Sequence, residues 1–258
     1  MGWESIVIGV IVALCTLACL YKAFTINVAK VEGLEILYSS KPKFIFLFVF
    51  RILVVILYIA TLVGRFNYQP AKAAVMYTVW NFILQLIYLI WALKLQCSDF
   101  TSLNIPMEFT KERKWLTVLF AVCFSTSFLV AVVYWSVIFK GSTWWVGYVE
   151  HGANNIVLII DFILNESLVA FHHAPFVGLW PCFYTIVIWI FRATWLTYWP
   201  YTFMDQSKPI SPLMYIAVIV AHAICFGFVI LLSKAKIKWF STHCLVAQTL
   251  PTVQERLV

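Results

Sequence analysis

Seven stretches of this chain are long and apolar enough to cross a bilayer, and that pattern rules out most other folds. They are Ser5–Phe24, Phe44–Gly64, Ala73–Leu93, Trp115–Phe139, Trp144–Phe171, Val177–Trp199 and Pro212–Ser233. About 20 mainly apolar residues, rising 1.5 Å each, cover roughly 30 Å of hydrocarbon. Composition agrees. The 258 residues are 63% hydrophobic and 11% charged, with mean hydropathy +0.92, whereas soluble domains sit near half apolar and a quarter charged. The expected fold is an all-α polytopic bundle of about seven transmembrane helices, forming one domain over residues 1–258 with a cytosolic tail at 234–258. The start, Met1-Gly2-Trp3-Glu4, lacks the basic segment of a secretory signal, so the first stretch is read as a span.

The net charge of +7 is dispersed over short loops. It forms no stripe for nucleic acid, and membrane lipids are the expected partners. Lys22, Lys30, Lys41, Lys43, Lys94, Lys111, Arg113, Lys114, Lys234, Lys236, Lys238 and Arg256 fall on one side of the membrane. Arg65, Lys72, Lys140 and Lys208 fall on the other. The positive-inside bias puts the first set, and the C-terminus, in the cytosol. Trp115, Trp144, Trp145, Tyr198 and Trp199 stand at span ends, as interfacial anchors do.

Of seven cysteines, five lie inside apolar runs, and only Cys97 and Cys244 fall in loop or tail. No C-x-x-C pair occurs, and His172-His173 have no further ligands nearby. No metal site and no cofactor are expected. The Asn165-Glu166-Ser167 sequon falls at the expected cytosolic border, so it should carry no glycan. A receptor reading lacks support, since the third span ends Lys94-Leu95-Gln96-Cys97 without an acidic-Arg switch.

Ionisable and amide side chains at membrane depth are costly, face the protein interior and often mark function. The third span carries Thr78, Asn81 and Gln85 at i, i+3, i+7. The fifth carries His151, Asn154 and Asp161 at i, i+3, i+10. Each set shares one helix face. Thr78 and His151 lie about 8 and 10 Å from the same membrane face, Arg192 at a similar depth and His222 somewhat deeper. These residues should form a polar layer in the non-cytosolic half. Arg51 should pair with Asp161 or a backbone carbonyl as structural glue, because each charge needs a counter-charge. Arg192 could instead reach toward headgroups. The plainer reading of Thr78 and the amides is interhelical hydrogen bonding.

Tyr77-Thr78-Val79-Trp80-Asn81-Phe82, His151-Gly152-Ala153-Asn154 with Leu158-Ile159-Ile160-Asp161, and Trp199-Pro200-Tyr201-Thr202-Phe203-Met204-Asp205 followed by Pro212-Leu213-Met214-Tyr215 and His222 together resemble the Rolling stone family. The resemblance runs from about Lys43 to Lys236, leaving the first helix as an addition. More distantly, it extends to the androgen-induced membrane hydrolases, which implies a six-helix core and a threonine that cleaves fatty acid esters of hydroxy fatty acids. The family's nucleophile falls on Thr78, with Asn81 and Gln85 at the positions that accompany it. In its H-G-x-H pattern the first histidine is His151. The fourth position, catalytic in the hydrolases, is Asn154 here.

Asparagine cannot take the proton that a threonine nucleophile must lose. That task would pass to His151, with Asn81, Gln85 or Asn154 as oxyanion or orienting donors. The enzyme reading is thus a long-chain lipid ester hydrolase with Thr78 and His151 as its catalytic pair. The alternative is a non-catalytic lipid-binding or membrane-organising protein, for which Rolling stone resemblance implies a part in cell–cell fusion.

Overall fold

The structure is a computed structural model that describes residues 2–26, 41–99 and 110–243. The chain is an all-α, multi-pass membrane protein, with six helices among the described residues long and apolar enough to cross a bilayer. They are α1 (Trp3–Thr25), α2 (Lys41–Tyr68), α3 (Tyr77–Asp99), α4 (Lys111–Val133, continued by a π-turn at Tyr134–Ile138), α6 (Ala174–Thr194) and α7 (Ser211–His243). The fifth expected stretch, α5, is composite. Helical segments Trp145–Tyr148 and Asn154–Leu164 are joined without a break by a π-turn at Val149–Ala153. At 1.5 Å per residue it is roughly 30 Å long. Its ends also differ in level. Glu150 is ion-paired with Arg65 at the end of α2, whereas Glu166, just past α5, meets Arg113 at the start of α4. α5 therefore traverses the whole bundle.

α4 is the central pillar, with 72% of its apolar window buried, while α1 stands at the periphery with 11%. Phe120, Phe124 and Phe162 stack between α4 and α5 with centroids 5.2–6.0 Å apart, and Tyr58 of α2 stacks on Phe82 of α3. The outer faces carry Leu53, Ile56, Ile90, Ile156 and Ile224, all exposed. Lipid is the medium that suits them, since these helices satisfy their backbone groups internally. Among the described residues, α1 packs mainly on α6 and α7. Ile8 and Val12 lie against Tyr215 and Trp189. The approach to α6 is close enough that a Cβ at Gly178 would stand 2.7 Å from the sulfur of Cys19.

Of the boundaries that differ from the sequence reading, three bear on the polar residues. α5 stops at Leu164 instead of reaching Phe171, because Asn165 turns the chain: its Oδ1 accepts from the Ser167 N–H at 2.9 Å. Such local side-chain bonding competes with helix. The carbonyls this frees, on Phe162, Asn165 and Ser167, receive bonds from the buried ammonium of Lys236. α6 ends at Thr194, five residues early, and α7 runs ten residues further, to His243. The expected tail from 234 is thus helical up to His243; its remainder, with Cys244, lies outside the described residues.

The Arg51–Asp161 pair forms as expected. Arg51 Nε donates to Asp161 Oδ1 at 2.7 Å, and Tyr88 and Asn165 donate to Oδ2 at 2.5 and 2.8 Å. Gln96 accepts from the same guanidinium at 3.1 Å. This network binds α2, α3 and α5 at the end of the bundle where Arg113 meets Asp99 and Glu166.

Candidate functional site

Three spaces adjoin one another, the first two in the opposite half and the third running back from there toward the start of α6 at Phe171 and Ala174. A basin of about 390 Å³ opens among Arg65, Lys72, Lys140 and Glu150. An apolar neck of about 80 Å³ follows, and Thr78, Tyr134, Ile138, His151, Tyr201 and Phe203 line both. Beyond it a groove of about 540 Å³ lies between α1, α6 and α7; Pro181, Thr185, Tyr215, Val218 and His222 line neck and groove alike. Basic charge is confined to the basin, whose single lining carboxylate, Glu150, is held by Arg65.

Thr78 and His151, the pair singled out in the sequence, therefore share the junction of basin and neck. Their local settings explain how. Thr78 is half-buried in the first turn of α3, where its N–H points to the Tyr201 hydroxyl at 3.5 Å. The Tyr201 phenol also engages the Thr78 side chain. Tyr201 belongs to the α6–α7 connection, outside the spans. Burial pushes its phenol above the usual tyrosine range, so it stays protonated and can donate a hydrogen bond.

His151 sits in the π-turn of α5 with its ring stacked on Tyr134, which lies in the π-turn that continues α4. Its carbonyl accepts from Trp135 Nε1 at 2.8 Å. Among the described residues, no hydrogen bond links His151 to Thr78, and the buried Nδ1 of His151 has no partner. An imidazole that lines a cavity and has a nitrogen without a protein partner can exchange a proton with a ligand that reaches it.

His222 has no such freedom. Its Nδ1 faces the Val218 carbonyl at 3.0 Å and its Nε2 faces the Tyr77 hydroxyl at 3.2 Å. A carbonyl only accepts, so Nδ1 carries the hydrogen and Nε2 accepts from Tyr77. Both nitrogens are occupied, and His222 serves as a wall of the neck.

Four other candidates stand apart from these three spaces. Asn81 and Gln85 point into the bundle core; Gln85 accepts from Tyr58 at 2.9 Å. Asn154 is buried and accepts from Asn155. The expectation that His151 and Asn154 share a face assumed a regular α-helix. The π-turn closes i to i+5 and takes an extra residue per turn, which swings Asn154 away from the cavity. Arg192, expected in the polar layer, instead donates to the Leu196 carbonyl at 2.9 Å, and its guanidinium lies 5.6 Å from the centroid of Trp199. α6 ends early, and the guanidinium caps its last turn.

Tyr134 and Tyr201 are site residues that spacing alone did not single out. Tyr201 lay in a quoted motif without an assigned role, and Tyr134 was hidden in an apolar run. No group of three or more His, Cys, Asp or Glu suited to a metal ion occurs among the described residues. His173, weighed above as a ligand, accepts from the Ala170 N–H at 3.0 Å and starts α6. No family model, no curated protein and no solved structure matches the chain.

Proposed function

We propose that this membrane protein takes up a long-chain lipid ester, with the ester group at Thr78 and His151, and hydrolyses it. The observation that supports this most is that a hydroxyl and an imidazole with an unpartnered nitrogen line one space, polar at one end and apolar at the other. An amphiphile fits such a gradient: head in the basin, carbonyl at the junction, chain in the neck. In the reaction, Thr78 Oγ attacks the ester carbonyl and its proton passes to His151. The alcohol leaves with that proton, and water then cleaves the acyl-threonine through the same imidazole. Tyr201 is the donor in reach of the oxyanion once it releases Thr78. By the charge bias the basin faces away from the cytosol, and membership of the Rolling stone and androgen-induced hydrolase clan is part of the same proposal.

A specific observation favours a second reading, retention of lipid without turnover. Tyr201 holds Thr78, and no bond to His151 activates it. A long-chain fluorophosphonate decides between the two. The hydrolase reading expects labelling of the purified protein that Thr78→Ala abolishes and His151→Ala reduces roughly a hundredfold or more. Labelling that survives Thr78→Ala overturns it. Absent labelling, with lipid retention altered by both substitutions, supports the second reading.

A further inference from the structure

The groove between α1, α6 and α7 is the largest of the three adjoining spaces, and neither Thr78 nor His151 lines it. Its walls are almost wholly apolar and include several small residues: Ala18 and Cys19 of α1, Gly178 of α6, Ala223 and Gly227 of α7. Gly178 has a packing reason, the close approach of Cys19. Gly227 has none. A Cβ built there meets nothing within 4 Å, although glycine inside a helix costs about 0.5–1 kcal/mol relative to alanine. The helix gives up a side chain here, and what it leaves is open apolar space.

That space is continuous in its walls with the neck. Tyr215, Val218 and His222 of α7 face both, as do Pro181 and Thr185 of α6. A chain entering the neck from the Thr78 junction thus has an apolar way onward, toward α1. With about 80 Å³ the neck is too small to hold a long chain alone.

We infer that the groove between α1, α6 and α7 binds the distal part of the acyl chain whose ester lies at Thr78, and that α1 is the wall that sets chain length. This rests on the proposed lipid-ester reading. It gives the added first helix a role: α1 makes its main contacts, among the described residues, with the two helices that flank the groove, held by Cys19 on Gly178 and by Ile8 and Val12 beside Tyr215. The distal chain is saturated or nearly so in its recognition, since the lining offers almost no polar partner.

The test is binding of an ester series, octanoyl to octadecanoyl, to the purified full-length protein and to Gly227→Phe and Ala223→Leu. The wild type should gain affinity with length up to the long members. Gly227→Phe should lower affinity for the octadecanoyl ester relative to the octanoyl ester at least about tenfold, the scale of losing a few buried methylenes. Ala223→Leu, a milder filling, should shift the ratio the same way and covers the case in which Gly227→Phe fails to fold. Equal ratios in folded variants and wild type overturn the inference while leaving ester binding at Thr78 intact. Thr78→Trp separates the two readings. If it leaves octanoyl binding unchanged while Gly227→Phe still weakens the long ester, the groove holds a bilayer lipid, and both the Thr78 site and the shared chain path are overturned.

Discussion

His151 stacks face to face on Tyr134, with ring centroids 3.5 Å apart and planes 3° from parallel. Each ring comes from a π-turn, one in α5 and one at the end of α4. Such turns re-aim side chains and frequently occur at functional sites. The stack fixes the imidazole plane, and Nδ1 stays buried without a hydrogen-bond partner.

Tyr134→Leu keeps an apolar contact but removes the stack, worth about 0.5–1.5 kcal/mol beyond area burial. Thermal unfolding in detergent should show a loss of that size. Fluorophosphonate labelling should fall together with it, because an unrestrained imidazole is no longer held in one plane beside the cavity that Thr78 also lines. Unchanged labelling at reduced stability would make the stack purely structural.

Tyr201→Phe removes the hydroxyl that holds Thr78. One hydrogen bond is worth about 1 kcal/mol net, so stability should drop only slightly. The direction of the labelling rate is informative. An increase identifies Tyr201 as a restraint on the nucleophile, and a decrease identifies it as an oxyanion donor. No change contradicts any part for Tyr201 in the chemistry.

Arg51→Ala or Asp161→Ala leaves a buried charge unpaired and should cost about 3–5 kcal/mol. The double substitution should cost clearly less than the two single losses combined, as contacting partners do in a double-mutant cycle. Additive losses would show that the two side chains act independently. Lipid-ester binding should survive in whatever fraction folds, since this network lies at the other end of the bundle.

Asn165 should carry no glycan. Its side chain is fully buried, with bonds to Asp161 and Tyr88, and the charge bias places it on the cytosolic side. A glycosidase should leave the electrophoretic mobility of the protein unchanged. A sequon engineered beside Gly141, at the basin end, should be modified. The reverse pattern would invert the proposed orientation.

Much of this architecture is legible in the sequence, because spans are set by length and apolarity alone. The Arg51–Asp161 pair is legible for the same reason: hydrocarbon leaves two opposite buried charges few other choices. Thr78 and His151 meet at one cavity because their depths match. Rotation about the helix axis was harder to read. The two π-turns shift register in ways that the apolar pattern does not encode, so Asn154 leaves the face of His151 and Tyr134 joins it. Arg192 was misplaced because its helix ends five residues early, at a point where the sequence runs on through Trp195 and Leu196 with no glycine or proline before Pro200. Tyr201 reaches Thr78 from a connection 123 residues away in sequence, a distance that no local pattern bridges.

The most direct test of the central claim uses a long-chain ester with a photoreactive diazirine on the carbon beside the carbonyl, crosslinked to the purified protein and mapped by mass spectrometry. The account predicts adducts on the segments bearing Tyr134, His151 and Tyr201, competed away by excess unlabelled ester. Adducts confined to the outer face of α2, around Leu53 and Ile56, would contradict it.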